Sequence, residues 1–177
     1  WPISLEIAGA RMSLNQDGSI QLQVGATEIG QGSDTVFTQM TAETLGVSFD
    51  KVHITSAQDT DVTPFDTGAY ASRQTYVTGT VVKECAENLK ARIIEYARTH
   101  LLDDTKETLD IAEDWIVNGE GEQLVSLNDV GLESYYSLTD SSVLTSEVSR
   151  QVKKNGIAFG AWLVSMETTL PCAISAW

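Results

Sequence analysis

Residues 19–45 restrict the fold more than any other part of the chain. Ser19-Ile20-Gln21-Leu22-Gln23-Val24 puts an apolar residue at every second position, the period of a half-buried strand. From Val36 to Leu45 apolar residues recur at helical spacing instead, and Gly46 supplies a stop. Between the two lies Gly25-Ala26-Thr27-Glu28-Ile29-Gly30-Gln31-Gly32-Ser33-Asp34-Thr35. A strand that runs through a glycine-rich turn into a helix aims unpaired backbone N–H groups at one place, which suits an anion. Gly30 and Gly32 flank Gln31, so the main chain can come close to a ligand while the Gln31 amide offers both donor and acceptor atoms. On shape alone such a turn is more often plain chain reversal.

The flanking segments extend this pattern. Residues 4–14 read as a strand, with Gly9 marking a local irregularity. Asn15-Gln16-Asp17-Gly18 carries the Asp-Gly hairpin signal and folds that strand onto 19–24. A helix over 33–45 follows, with Ser33 or Asp34 as its N-cap. Lys51 to Ala57 alternates as a third strand, and the β-β-α-β order predicts an α+β fold of mixed sheets with packed helices. A long polar connection, 58–75, leads to the longest helical stripe: Val77, Val81, Val82, Cys85, Ala86, Leu89, Ile93, Ala97 and Leu101. That helix starts near Ser72 to Thr75, so its free N–H groups can point to the same place as those of the first helix. Residues 105–112 are expected to form a short helix, and 115–125 a hairpin turned at Asn118-Gly119. Ser126 caps another short helix over 127–132. Strands over 142–151 and 157–170 close the chain, joined by Lys153-Lys154-Asn155-Gly156. Trp162, Val164 and Met166 alternate on one face of the last of these. The expected division is a cofactor-contacting half, 1–104, and a second part, 105–177, of the same or an adjoining subdomain.

Charge narrows the partners. The 177-residue chain has a formal net charge of −14, with 42% hydrophobic and 20% charged residues. It is a folded protein with a core, and it lacks the Lys and Arg needed to neutralise nucleic acid or an anionic membrane. A phosphate-bearing ligand would have to be held by backbone amides and helix N-termini. Cys85 and Cys172 are the only cysteines, which points to a reducing, cytoplasmic setting without a disulfide framework, and Cys85 lies on the buried stripe as an inert core thiol. Neither cysteine sits in a metal-binding spacing, and His53 and His100 read as structural or surface residues. Asp59 and Asp61 lack the glycine and terminal glutamate of a calcium loop and read as solvated turn carboxylates. No apolar run approaches ~18–20 residues, so no membrane span is expected. The abrupt start at Trp1-Pro2 and the end at Trp177 suggest an excised piece of something longer.

The two loops are specific when taken together. Gly25-Ala26-Thr27-Glu28-Ile29-Gly30-Gln31-Gly32, followed by Asp59-Thr60-Asp61-Val62-Thr63-Pro64-Phe65-Asp66-Thr67-Gly68-Ala69-Tyr70-Ala71-Ser72-Arg73, resembles the molybdenum-binding subunit of the xanthine dehydrogenase and aldehyde oxidase family. The resemblance runs from Ser4 to about Leu170 and is tightest between 19 and 79. It implies a molybdopterin cofactor, often extended by a nucleotide such as cytidine, with molybdenum in the parent protein. It also implies FAD and 2Fe-2S centres on partner domains or subunits. By that resemblance Ile29, Gly30, Gln31 and Gly32 approach the pterin and metal, the Gln31 amide bonding polar atoms at the metal end. Ala71, Ser72, Arg73, Gln74 and Thr75 line the cofactor's other side.

Family members hydroxylate purines, related heteroaromatics or aldehydes, using a glutamate in a Gly-x-Gly-Glu-Pro setting as base. Here Gly119-Glu120-Gly121-Glu122 lacks the proline and reads as a turn. The chain therefore looks like part of a cofactor-binding region without the general base, inactive alone and with no cofactor of its own bound. Its partners would be the flavin and iron–sulfur parts, the rest of the molybdenum subunit and a small-molecule substrate. The alternatives are a naturally short scaffold module that completes a split molybdoenzyme, and a structural α+β domain with no ligand.

Overall fold

A computed structural model describes residues 6–55 and 59–152 of the chain. The main sheet has the order β3-β2-β1-β7. Strand β1 (Ile7–Leu14) pairs antiparallel with β2 (Ile20–Val24), in register from Ala10 opposite Val24 to Leu14 opposite Ile20. Asp17-Gly18 makes the turn as its chemistry predicts, with Asp17 Oδ1 accepting from the Ser19 amide at 3.0 Å. Alternation decides which face is buried: Ala8, Ala10, Met12 and Leu14, with Ile20, Leu22 and Val24, are fully enclosed. Each large side chain buried this way stabilises the fold by about 1.5–3 kcal/mol.

Helix α1 (Ser33–Leu45) carries the chain from β2 to β3 (Val52–Ile54), which lies parallel to β2 as a crossover connection requires. Gly46, left-handed at φ 85°, ends the helix as the sequence predicts. Helix α2 (Gln74–Leu101) buries the expected stripe against α1, β1 and the last strand. Small side chains on β1 let it approach closely: Cys85 Sγ lies 3.5 Å from the Ala10 carbonyl oxygen. The predicted core thiol is buried there, and burial pushes it above the ordinary cysteine range.

A second sheet has the order β4-β5-β6, all antiparallel: Leu109–Ala112, Trp115–Asn118 and Gln123–Ser126. The short helix expected over 105–112 is therefore overturned. Leu109 and Ile111 are buried while Asp110 and Ala112 face out, a period of two. The turn from β4 to β5 uses Glu113 and Asp114 at φ 50° and 67°, so a hairpin exists without the glycine that usually announces one. Ser126 caps α3 (Leu127–Tyr136) as predicted, its Oγ accepting from the Asp129 amide at 3.1 Å, and the helix runs longer than the expected 127–132. Strand β7 (Thr145–Gln151) then returns to the main sheet and pairs with β1 from Ile7 opposite Gln151 to Ser13 opposite Thr145. Gly9 keeps regular register opposite Ser149, so the predicted irregularity is absent. The strand expected over 157–170, with Trp162, Val164 and Met166, and the basic turn before it lie outside the described residues.

Candidate functional site

The glycine turn and the long connection meet at the amino ends of α1 and α2. At α1 the cap differs from expectation. Neither Ser33 nor Asp34 occupies the cap position; Gly32 does, left-handed at φ 81°, and no side chain of its own caps the helix. The carboxylate of Glu28 folds over instead. Its Oε1 accepts from the amides of Gly30 at 2.6 Å and Gly32 at 3.1 Å. Its Oε2 accepts from the Asp34 amide and the Ser33 hydroxyl, both at 3.1 Å. These donors, the Asp34 and Gly32 amides foremost, pull the Glu28 carboxyl from an ordinary 4.5 down to about 2. The Asp34 amide at the start of α1, with those of Gly30 and Gly32 just before it, is thus already taken by an internal anion.

Gln31 stands at the centre of the turn. Its Oε1 accepts from the Ile29 amide at 2.6 Å. Its Nε2 lies against Thr27 O at 3.0 Å, Ser33 Oγ at 3.1 Å and Gln74 Oε1 of the other loop. Gln74 Nε2 returns to the Thr27 carbonyl at 3.2 Å, so paired amides tie the glycine turn to the first residue of α2. Gly30 and Gly32 have φ of 96° and 81°, and a β-carbon on either would meet no atom within 4 Å. Their conformation requires glycine, and the space beside them is open.

The second loop is held from beneath by a buried ion cluster. Arg73 Nε donates to Glu6 at 2.6 Å and Nη1 to Asp66 at 2.5 Å, with side chains only 2%, 9% and 0% exposed for Arg73, Glu6 and Asp66. Nη1 also donates to Gly68 O at 2.7 Å and Nη2 to Ile7 O at 2.9 Å. Asp66 takes the Thr78 hydroxyl at 2.7 Å and the Gly68 amide at 2.9 Å. Burial opposes the guanidinium charge, and Glu6 and Asp66 more than offset it, so Arg73 stays above its ordinary range. The Arg73 guanidinium, which the resemblance sets along the cofactor's side, makes these bonds inward and fastens the loop to β1. Above it Ala71 and Ser72 are both left-handed, at φ 50° and 56°, a conformation that costs non-glycine residues energy. Beneath the loop a β-carbon on Gly25 would lie 2.2 Å from the Pro64 carbonyl oxygen, so glycine there lets the connection cross the end of β2.

A cleft of about 350 Å³ opens between the loops, lined by Ile29, Gln31, Ala69, Tyr70, Ala71, Ser72, Arg73, Gln74 and Thr75. All the predicted site residues line it except Gly30 and Gly32, which lie in the same turn. The amides of Gln74 and Thr75 fall in the first turn of α2, where no intrahelical acceptor exists. Hydroxyls of Ser72 and Thr75 are exposed beside them. The lining holds no carboxylate, imidazole or thiol, and its amide, hydroxyl and phenol groups suit a polar or anionic group. Sequence reasoning missed Glu28, Glu6 and Asp66 as organising residues. Only Glu28 had a local signal, an acid just ahead of a helix start.

The remaining acids and histidines behave as read. Asp59 Oδ1 accepts from the Asp61 amide at 3.0 Å in an exposed turn, and no cluster able to hold a metal exists among the described residues. His53 is exposed, and His100 stacks on Tyr96 with its Nε2 3.3 Å from Asp140. Gly119–Glu122 forms the β5–β6 turn, with the Gly121 amide donating to Asn118 O at 2.9 Å. No helix among the described residues is long and apolar enough to cross a membrane.

Comparison with known proteins gives the same assignment. The family described as molybdopterin cofactor-binding domain matches residues 2–168. The putative xanthine dehydrogenase molybdenum-binding subunit XdhA of Escherichia coli (strain K12) is 46% identical over 168 residues, covering 94% of this chain and 22% of that protein. The probable hypoxanthine oxidase XdhD of the same organism is 33% identical over 126 residues, 71% of this chain and 13% of that one. In fold, CO dehydrogenase from Oligotropha carboxidovorans superposes with a TM-score of 0.72 at 24% identity, covering 84% of this chain and 18% of that structure. The chain spans about a fifth of the length of the curated relative XdhA. With the match extending over nearly all of its length, the chain belongs to the molybdopterin cofactor-binding domain family.

Proposed function

We propose that this chain supplies two of the loops that hold a molybdopterin cofactor in a xanthine dehydrogenase-like molybdenum hydroxylase acting on purines, related heteroaromatics or aldehydes. The observation that carries this reading is the Gln31–Gln74 pair, which brings the glycine turn and the Ala71–Thr75 corner onto one cleft. The residues suit such a group. Unpaired amides at the start of α2 and the hydroxyls of Ser72 and Thr75 match an oxygen-rich, anionic ligand, and an open face beside Gly30 and Gly32 leaves room for it. When bound, the molybdenum supplies the two-electron chemistry. This chain's residues would bind and orient the group: Gln31 would hold its metal end, Ser72 and the α2 amides its other side, and Arg73 stiffens the corner from below.

Among the described residues the cleft lining offers no carboxylate and the Gly119–Glu122 segment is a hairpin turn, so this reading takes the general base from elsewhere in the enzyme. Flavin and iron–sulfur partners, and a nucleotide extension of the pterin, follow from the same reading, as does a cytoplasmic setting. The test is Gln31→Ala in the intact enzyme, followed by molybdenum and pterin content and by turnover. Loss of a buried hydrogen bond to a charged group, about 1.5–3 kcal/mol, lowers retention or rate roughly tenfold or more. Wild-type metal content together with wild-type turnover would refute the assignment.

A further inference from the structure

We propose that Glu28 is a positioning residue that, through the Ser33 hydroxyl, reinforces the orientation of the Gln31 amide which the Thr27 carbonyl and the Ile29 amide also favour. The proposal rests on the cofactor reading for its catalytic consequence, though not for its structural content. An ionised carboxylate only accepts hydrogen bonds. The Ser33 hydroxyl, 3.1 Å from Glu28 Oε2, must therefore point its proton at Glu28. That leaves an oxygen lone pair for Gln31, whose Nε2 donates to Ser33 Oγ at 3.1 Å. Gln31 is then fixed with nitrogen toward Ser33 and the Thr27 carbonyl and with Oε1 toward the Ile29 amide at 2.6 Å. The opposite orientation sets oxygen against oxygen at Thr27 and N–H against N–H at Ile29. The two Nε2 hydrogens of Gln31 serve three oxygens, Ser33 Oγ, the Thr27 carbonyl and Gln74 Oε1, so one hydrogen is shared, and Gln74 Nε2 turns back to Thr27. Polarity thus passes from Glu28 through Ser33 and Gln31 to the first residue of α2.

A merely structural Glu28 would cap α1 and nothing more, and two substitutions in the intact enzyme separate these roles. Ser33→Ala leaves the Gly30, Gly32 and Asp34 amides bonded to Glu28 but cuts the relay. Glu28→Gln keeps the size of the side chain while giving it an NH2 that can donate to Ser33. The Ile29 amide reports Gln31 directly, since Gln31 Oε1 is its acceptor. Hydrogen exchange at Ile29 should rise about tenfold in both variants, whereas exchange at Gly30, Gly32 and Asp34 should rise only in Glu28→Gln. Turnover and molybdenum content should fall about tenfold in both, and adding Gln31→Ala to either should lower them little further. Unchanged Ile29 exchange in Ser33→Ala overturns the proposal, as does a fully multiplicative effect of Gln31→Ala. If the wild-type enzyme holds no molybdopterin, the cofactor reading fails, and the Ile29 exchange result still decides the relay.

Discussion

Replacing Arg73 by Met tests whether the cofactor loop is held by charge or by packing. The substitution keeps much of the side-chain volume and removes the donors to Glu6, Asp66, Gly68 O and Ile7 O. Asp66 keeps the Gly68 amide and the Thr78 hydroxyl, but Glu6 loses its guanidinium partner with its side chain only 9% exposed. Removing one partner of a buried pair costs about 3–5 kcal/mol, chiefly because the remaining charges stay buried without compensation. That is about a fifth or more of the stability of an ordinary domain, about 5–15 kcal/mol. Urea unfolding of the intact protein without cofactor, compared between variants under one set of conditions, measures the loss. The cause is isolated by a second change: Glu6→Gln in the Arg73→Met background removes one stranded charge and should recover at least about 1 kcal/mol. Arg73→Lys should rescue only in part, because a compact ammonium cannot span acceptors arranged around a planar fork. A loss below about 1 kcal/mol in Arg73→Met, with no recovery on adding Glu6→Gln, would show that the cluster does not hold the loop.

Other tests act on single features. Glu28 has its carboxyl lowered from 4.5 to about 2, so the stability it lends the turn is complete above pH 4.5 and is lost as pH falls toward 2. Hydrogen exchange at Gly30, Gly32 and Asp34 should therefore stay slow at pH 3 and quicken near pH 2, and this step should vanish in Glu28→Gln. Gly25→Ala should cost about 1–3 kcal/mol, because its β-carbon would meet Pro64 O at 2.2 Å and the Asp66 amide at 2.7 Å. Gly30→Ala meets no atom within 4 Å and should lose only the left-handed penalty, about 1–2 kcal/mol; urea midpoints of the two variants compare them. Cys85, buried and raised above the usual thiol range, should resist alkylation in the folded protein and react on unfolding, with peptide mapping to separate it from Cys172.

Where one signal dominated, the fold was legible. The β1–β2 hairpin, both long helices, the Gly46 stop and the Ser126 cap each follow from a periodicity or a residue whose chemistry admits little else. The small sheet was not, because a four-residue strand shows too little period to outweigh helical composition. Its turn also uses Glu113 and Asp114 in a conformation normally read from glycine or asparagine. Gly9 misled for a related reason. A glycine within a strand signals either a bulge or a close neighbour, and here it is the neighbour: a β-carbon on Gly9 would lie 2.5 Å from the Pro64 side chain. Contacts across long sequence separations leave no trace in a local window, so the Arg73–Glu6 bond between residues 67 positions apart could not have been read.

The same limit explains why the residues that gather at the cleft were legible before their contacts. A motif marks which residues gather, whereas charge accounting marks what they do there. In a chain of net charge −14, the use each arginine is put to matters. Arg73 neutralises two acids of its own protein, and Glu28 takes the Asp34 amide at the start of α1. Both moves take formal charge away from the cleft and leave neutral donors: the Gln31 amide, the Ser72 and Thr75 hydroxyls and the α2 amides. Distant acidic residues oppose an anion only within the Debye length, about 8 Å at physiological ionic strength, while fixed donors act at contact. A site of this kind holds an anionic group by rigid, preorganised dipoles, and its selectivity then depends on how firmly the two loops are fastened. The buried cluster beneath Arg73 and the carboxylate of Glu28 do that fastening, one for each loop.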